Sequence, residues 1–162
     1  MKWRTKPKVA LWMYQDLGGD NITRRLSSLL NKEGIDVVSN FDLRSCTLSD
    51  GQVWTATGQC LSEVDLLYQM NANHQTPFQN SLLHILTQQG VQVINSMSAF
   101  NNAKDKLLTN TILRQAKFCV PAAIGLDRKE LPDQIRALTQ SWDKILLKPR
   151  GLHGGKSIVK WS

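Results

Sequence analysis

The feature that most constrains the fold of this chain is an alternation of short apolar runs with amphipathic segments in its first 95 residues. The apolar runs are 8–14, 35–38, 65–68 and 91–94, and the amphipathic segments are 22–30 and 80–89. Short continuous apolar runs are typical of strands that are buried on both faces. Strands that alternate with helices pair in parallel through crossover connections. The sequence therefore predicts an α/β fold with a parallel sheet.

The character of the chain changes after Asn95–Ser96, where we predict the end of a first domain, 1–96, and the start of a second, 97–162. The second domain begins with a polar stretch and then shows one long helical pattern to Lys117. Its predicted buried face is Leu108, Ile112 and Ala116. A strand is predicted at 122–126, and a further helix is predicted from Leu131, Ile135 and Leu138.

The last part of the chain reads as a strand, a glycine-rich loop and a second strand, over residues 144–161. Gly151, Gly154 and Gly155 permit positive φ and leave backbone N–H groups unshielded, so the loop can surround an oxyanion. Lys148 and Lys156 would add positive charge, and the Ser157 hydroxyl could donate a hydrogen bond. From the loop alone, both a phosphate-binding loop and a plain β-hairpin remain open.

The charge of the chain is compatible with several kinds of partner. A net charge of +7 permits nucleic acid, a membrane surface or a phosphorylated small molecule. Cationic residues are spread along the chain without interleaved aromatic residues, which disfavours a nucleic-acid groove. No apolar stretch approaches the roughly 18–20 residues that a membrane span needs, and the run 9–13 is too short for the core of a signal peptide. We therefore expect a cytoplasmic protein with no membrane partner.

Metal, disulfide and dinucleotide motifs find little support in the sequence. Cys46, Cys60 and Cys119 are odd in number and form no close pair, and the histidines are scattered, so we predict buried free thiols and no metal site. Gly18 and Gly19 follow the first apolar run, but their spacing does not match the G-x-G-x-x-G dinucleotide fingerprint.

Three patterns, in order along the chain, carry a resemblance to a known family. They are Val-Ile-Asn95-Ser followed by Asp105-Lys106-Leu-Leu-Thr, then Val120-Pro121, then Ile-Leu-Leu-Lys148-Pro149 with Gly-Gly-Lys-Ser157. Together they resemble the ATP-grasp superfamily, and within it the bacterial glutathione synthetase and RimK-like ligases. The resemblance implies a Rossmann-like pre-ATP-grasp domain followed by the first, α+β subdomain of an ATP-grasp fold, with the second subdomain absent.

The resemblance also implies roles for individual residues. ATP-binding roles fall on Lys106, Lys148, Gly151, His153, Gly154, Gly155, Lys156 and Ser157. Gln69 stands where glutathione synthetases typically place an arginine that meets a substrate carboxylate, and Gln69 and Asn71 are the predicted substrate-binding residues. Leu152 stands where the family loop usually has a glycine. No catalytic nucleophile and no metal ligand is predicted within the chain.

The function implied is that of the N-terminal part of an ATP-dependent carboxylate–amine ligase that acts through an acyl phosphate. Its partners would be ATP, Mg²⁺ bound by residues outside this chain, and small-molecule or peptide carboxylates and amines. The 162-residue chain alone is expected to be inactive. The alternative is a non-catalytic nucleotide-binding or dimerisation module, because an open sheet without its second subdomain can form homo-oligomers. Nucleic-acid binding is a third hypothesis, motivated by the charge alone.

Overall fold

The computed structural model describes residues 6–13, 19–70, 76–150 and 157–161. The chain forms two compact units, residues 1–100 and 101–162. No helix in these described ranges is both long and apolar enough to cross a membrane.

The first unit is built on a parallel sheet. Its elements are β1 Lys8–Trp12, α1 Gly19–Lys32, β2 Asp36–Val38, β3 Thr47–Ser49, β4 Gln52–Trp54, β5 Leu66–Gln69, α2 Pro77–Gln88 and β6 Gln92–Ile94. The strand order is β2-β1-β5-β6, and all three pairings are parallel. Strands β3 and β4 form a separate antiparallel hairpin. The predicted α/β fold with a parallel sheet is therefore confirmed.

A continuous hydrophobic core holds the first unit together. It joins β1 and β5, through residues such as Ala10 and Leu67, to Leu82, Leu83 and Leu86 of α2, and all five are at least 98% buried. These three leucines recur at the spacing that places side chains on one face of a helix. This core therefore packs α2 against the central strands β1 and β5.

Local sequence features set the start of α2 and the ends of α1 and α2. A capping box starts α2: Gln79 N donates to Thr76 Oγ1 at 3.3 Å, while Thr76 N donates to Gln79 Oε1 at 2.7 Å. Gly34 follows α1 and Gly90 follows α2, and both have positive φ, which permits the chain to leave the helix. The helix ends predicted at these two glycines are confirmed.

The predicted apolar face of α1 is only partly covered. The helix begins at Gly19, earlier than the cap predicted at Asp20 or Asn21, and its buried residues are Gly19 and Thr23. Ile22 and Leu29, two apolar positions of this amphipathic segment, are exposed. Helical periodicity identifies an apolar face, but the neighbouring elements decide whether that face is covered.

The second unit contains helices and one β-hairpin. Its elements are α4 Lys106–Gln115, α5 Leu131–Thr139, β7 Ile145–Leu147 and β8 Val159–Trp161, and α3, Met97–Lys104, spans the division between the units. Strands β7 and β8 pair antiparallel, as predicted for the segments on either side of the glycine-rich stretch. The helix predicted after the polar stretch is confirmed as α4, which Asp105 caps, whereas most of the polar stretch itself lies in a further helix, α3.

Two further predictions for the second unit are wrong. Residues 122–126 form no strand, and no strand in the described part of the chain pairs with them. Leu108 and Ile112 are exposed, although helical spacing predicted that they are buried. In the described part of this unit, the buried hydrophobic residues are Ile135 of α5 and Ile145 of β7.

Candidate functional site

The two predicted ATP-binding lysines lie at the ends of two elements of the second unit. Lys106 is the first residue of α4, and Lys148 directly follows β7. Two residues after Lys148, the backbone oxygen of Arg150 accepts from Lys106 N at 3.4 Å and from Lys106 Nζ at 3.5 Å. The start of α4 is therefore joined to the chain that leaves β7.

Asp105 sets the position of Lys106. Its Oδ1 accepts from Leu107 N at 3.0 Å and from Leu108 N at 3.2 Å, so its carboxylate caps α4. An aspartate is a preferred residue at this position, because the first amides of a helix have no partner within the helix. A negative charge there is also favoured by the helix dipole.

An ion pair joins Asp105 to Arg150 across 45 residues of sequence. Arg150 Nε donates to Asp105 Oδ1 at 3.3 Å, and Nη2 donates to Oδ2. The hydrogen bond from Arg150 lowers the pKa of the Asp105 carboxyl, with the Leu108 amide contributing in the same direction. The same pairing raises the pKa of the Arg150 guanidinium. The carboxylate is thus held in its charged form by four N–H donors from three residues.

The arrangement concentrates positive charge where β7 ends. Lys148 is exposed, and an extended chain places its Cα within roughly 7 Å of the Cα of Arg150. The ammonium group of Lys106 lies against the Arg150 carbonyl. Lys106 and Lys148, which both lie near Arg150, suit a ligand that carries several negative charges on oxygen.

Most of the predicted glycine loop lies outside the described residues. Gly151, His153, Gly154, Gly155 and Lys156 all fall there, and so does Asn71 of the predicted substrate-binding pair. Ser157 is described: it is exposed, has a φ of 60°, and lies two residues before β8. Its place at the end of the predicted loop is consistent with a turn into the second strand.

Gln69, the other predicted substrate-binding residue, lies at the carboxyl end of β5. Its side chain is fully buried, and its Nε2 donates to the Asn95 backbone oxygen at 2.5 Å. It pairs in register with Trp12 at the end of β1. In open α/β sheets this edge is where ligands bind, and Gln69 stands where the strand order reverses, between β1 and β5. Its role toward a substrate stays a prediction.

Two buried donors near this edge of the sheet were not anticipated from the sequence. Trp12 Nε1 and Gln79 Nε2 are buried side-chain nitrogens without a hydrogen-bond partner. This absence of a partner holds among residues 6–13, 19–70, 76–150 and 157–161. Trp12 is the last residue of β1, and Gln79 lies in the first turn of α2. Both therefore lie at the same edge of the sheet as Gln69, the last residue of β5.

The sequence alone predicted neither a role for Arg150 nor an ion pair between Arg150 and Asp105. Asp105 was part of a recognised pattern, and an aspartate before a helical segment is a typical cap. The partner of that carboxylate, 45 residues away, could not be read from local sequence. Only the fold brings the two residues together.

The cysteines and acidic residues give no metal site in the part of the chain that the structure describes. No group of three or more His, Cys, Asp or Glu side chains that could hold an ion occurs there. Cys46 and Cys60 are buried free thiols, as predicted, whereas Cys119 is exposed, contrary to the prediction. Cys119 lies in the irregular segment that follows α4.

Comparisons with solved structures identify the architecture. No protein-family model matches this chain, and no curated protein matches its sequence. A structure of the ATP-grasp ligase PsnB with minimal precursor, Mg and ADP matches with a TM-score of 0.58 and 20% identity, covering 96% of this chain and 57% of PsnB. A PsnB structure with minimal precursor has a TM-score of 0.60 and 20% identity, covering 98% of this chain and 59% of PsnB.

This chain shares the fold of an ATP-grasp ligase. A third PsnB structure, with a phosphomimetic precursor variant, Mg and ADP, agrees at a TM-score of 0.59 and 18% identity, with 99% and 59% of the two chains covered. The ATP-grasp fold predicted from the three sequence patterns is therefore confirmed. The chain spans less than two thirds of PsnB's length. The finer kinship with glutathione synthetase and RimK-like ligases stays a prediction.

Proposed function

We propose that this chain is the N-terminal part of an ATP-dependent carboxylate–amine ligase that acts through an acyl phosphate. The observation that carries the proposal is the contact of Lys106 Nζ with the Arg150 carbonyl at 3.5 Å. This contact brings the Lys106 ammonium group close to the segment that begins at Lys148. The family resemblance implies that both bind ATP. The ATP-grasp fold shared with PsnB supports the same assignment.

In this proposal the described lysines bind and neutralise phosphate groups, and they supply no nucleophile. Charge-assisted hydrogen bonds from ammonium groups to phosphate oxygens are strong, and phosphoryl transfer depends mainly on positioning and charge neutralisation. Further donors would come from the predicted loop residues, namely Gly151, His153, Gly154, Gly155, Lys156 and Ser157. Gln69 and Asn71 would face the acid or amine substrate, which we propose to be a small molecule or a peptide.

Magnesium would accompany the nucleotide. Mg²⁺ is bound mainly by oxygen ligands, typically one or two carboxylates together with phosphates. Since residues 6–13, 19–70, 76–150 and 157–161 contain no suitable cluster, we propose that the protein ligands of the ion lie elsewhere. We accordingly propose that the chain alone binds nucleotide without completing the reaction.

Calorimetric titration of ATP with magnesium tests the site. We expect weak binding by the 162-residue chain and a loss of at least about tenfold in affinity in a Lys106→Ala, Lys148→Ala double variant. The matched control is Lys129→Ala, Lys144→Ala, which removes two exposed lysines from the same unit. Equal losses in both variants would mean that only overall charge matters, and unchanged affinity in the first would move the site elsewhere.

A second candidate function is a non-catalytic nucleotide-binding or dimerisation module. The observation that favours it is the exposed apolar surface of the hairpin, where Leu146, Val159 and Trp161 are each about half exposed. Exposed apolar patches of this kind commonly mark interaction surfaces. Sedimentation over a range of concentrations tests it: we expect dimers that are lost in a Val159→Thr, Trp161→Thr variant. A chain that stays monomeric at high concentration would exclude the dimerisation module.

A further inference from the structure

We propose that helix α1 forms a reversible contact between two copies of this chain, with Leu29 at its centre. The two helices lie antiparallel about a two-fold axis, so that Arg25 of each copy faces Glu33 of the other. This inference goes beyond the proposed ligase function. It also concerns a different surface from the β7–β8 hairpin of the second candidate function.

Helix α1 packs against its own unit through small residues. It lies against β2, and its buried residues are Gly19 and Thr23. Thr23 Oγ1 donates to the Gly19 backbone oxygen at 2.9 Å. Residues four apart lie on one face of a helix, so the half-buried Ser27 continues this row. The row 19, 23 and 27 is therefore the side of α1 that faces the sheet.

The larger apolar side chains of α1 lie on the two neighbouring rows and are less buried than the small ones. Ile22 is 39% exposed, and Leu26 and Leu30 of the same row are half-buried. Leu29, on the next row, is 58% exposed. Rows of residues four apart are the ridges through which two helices commonly pack. Its own unit thus leaves an apolar ridge of α1 partly uncovered, in a form that suits another helix.

Charged residues on either side of Leu29 show which partner fits. Arg25 lies four residues before Leu29 and Glu33 four residues after it, and both are exposed. Glu33 N donates to the Leu29 backbone oxygen at 3.2 Å, so Glu33 continues the helical row. No ion pair within residues 6–13, 19–70, 76–150 and 157–161 involves either charged side chain.

This spacing is self-complementary. Four residues of α-helix span about 6 Å, so Arg25 and Glu33 are equally far from Leu29 in opposite directions. A two-fold axis at Leu29 places Arg25 of one copy opposite Glu33 of the other, and it does so twice. A partner segment of uniform charge, whether acidic or basic, would be repelled at one of these two positions. The charges therefore favour a second copy of this chain.

Analytical ultracentrifugation of the 162-residue chain over a range of concentrations tests the contact. One helix pair is a small interface, and we expect a Kd of roughly 10–100 μM. Leu29→Lys should weaken dimerisation about tenfold or more, because it places two ammonium groups at the centre of the contact.

Exchange of the two charges is the sharper test. Arg25→Glu and Glu33→Arg should each weaken dimerisation about tenfold, because each change turns two attractive pairs into two repulsive ones. An equimolar mixture of these two variants should dimerise about as tightly as the unchanged chain, because the mixed dimer regains two pairs of opposite charge. The double variant, which carries both changes in one chain, should also recover.

Two matched controls separate the contact from general effects of charge and polarity. Arg24→Glu changes an exposed arginine on another side of α1, and Leu48→Lys changes a leucine of the same unit that is 45% exposed. Both should leave dimerisation unchanged. Thermal unfolding of each variant checks that it folds.

Three results would overturn the inference. They are a chain that stays monomeric about tenfold above the expected Kd, equal losses in Arg25→Glu and Arg24→Glu, and a mixture that dimerises no better than its components. Dimers that survive Leu29→Lys but are lost in the Val159→Thr, Trp161→Thr variant would likewise assign the contact to the hairpin. None of these results bears on ATP binding, so the proposed ligase function and this inference fail separately.

Discussion

The two units of this protein are stabilised in different ways. The first has a core cluster of fourteen buried residues, whereas the described part of the second buries two large hydrophobic side chains, Ile135 and Ile145. Residues 1–100 contain eight basic and eight acidic side chains, and residues 101–162 contain twelve basic and five acidic ones. The whole net charge of +7 therefore lies in the second unit.

This difference teaches where stability and binding capacity are located. Burial of apolar surface is the main stabilising term in folding, so the first unit can fold on its own core. The second unit relies more on helix caps, the β7–β8 hairpin and the Asp105–Arg150 ion pair. Its excess positive charge favours an anionic ligand and opposes compaction through self-repulsion.

The largest expected effect on stability comes from truncating a buried side chain in the core of the first unit. Leu67 is fully buried in β5, and we expect Leu67→Ala to lower the free energy of unfolding by about 2–5 kcal/mol. The matched change in the second unit, Leu146→Ala in β7, removes a side chain that is 56% exposed and should cost less than about 0.5 kcal/mol. Urea denaturation followed by circular dichroism measures both. Similar losses at the two sites would show that Leu146 is covered in solution.

The reactivity of the cysteines also tests the difference in packing between the two units. Burial, with the nearby charge of Asp42, raises the pKa of the Cys46 thiol to about 11. At pH 8 the folded protein should therefore be alkylated at exposed Cys119 about a hundredfold or more faster than at Cys46. Mass spectrometry of iodoacetamide-treated protein over time gives both rates, and urea-unfolded protein is the control. Comparable rates in the folded state would contradict the packing around Cys46.

The helix cap of the first unit should have an intermediate effect. Thr76→Ala removes the side-chain oxygen that accepts from Gln79 N, and it should destabilise the protein by about 1 kcal/mol. Thr76→Ser keeps an oxygen in the same place and should be close to neutral. Urea midpoints of the two variants separate loss of the cap from loss of the methyl group. A loss as large in the serine variant would mean that methyl packing, and not the cap, is what matters.

The smallest effect concerns acid titration of the second unit. Because the folded-state pKa of Asp105 is lowered, its stabilising contribution is present above the ordinary pKa of 3.8 and is lost as the pH falls through the lowered value. The amide shifts of Leu107 and Leu108 in NMR spectra should therefore titrate with a midpoint below 3.8. Arg150→Gln should move that midpoint upward. An unchanged midpoint would show that the ion pair contributes little in solution.

Much of the first unit could be predicted from the sequence because its apolar pattern is regular. The four parallel strands and α2 all lie within or close to the predicted runs. The predictions failed where the burial of an apolar face depends on a neighbouring element of the fold. Ile22 and Leu108 have helical spacing but remain exposed, and 122–126 has strand-like composition without a partner strand. Periodicity reports which side of an element is apolar, and not what lies opposite it.

The candidate site also contains residues that could be predicted from the sequence and residues that could not. Lys148 and the glycine-rich stretch were predicted from the local pattern of a strand end and a loop, and the role of Lys106 was predicted from the family resemblance. The attachment of Arg150 to Asp105 and Lys106 was not, because contacts across 44 or 45 residues depend on the whole path of the chain.

The sequence by itself determined the alternation of strands and helices and the parallel sheet, because both follow from the spacing of apolar residues. Its resemblance to the ATP-grasp superfamily, carried by lysine, proline and glycine at fixed local positions, predicted the fold that the solved structures share. The tertiary structure alone decided which apolar faces are buried, that Gln69 is enclosed within the first unit, and that Arg150 neutralises Asp105. Burial and ion pairing depend on groups far apart in sequence, and only the folded chain brings those groups within contact distance.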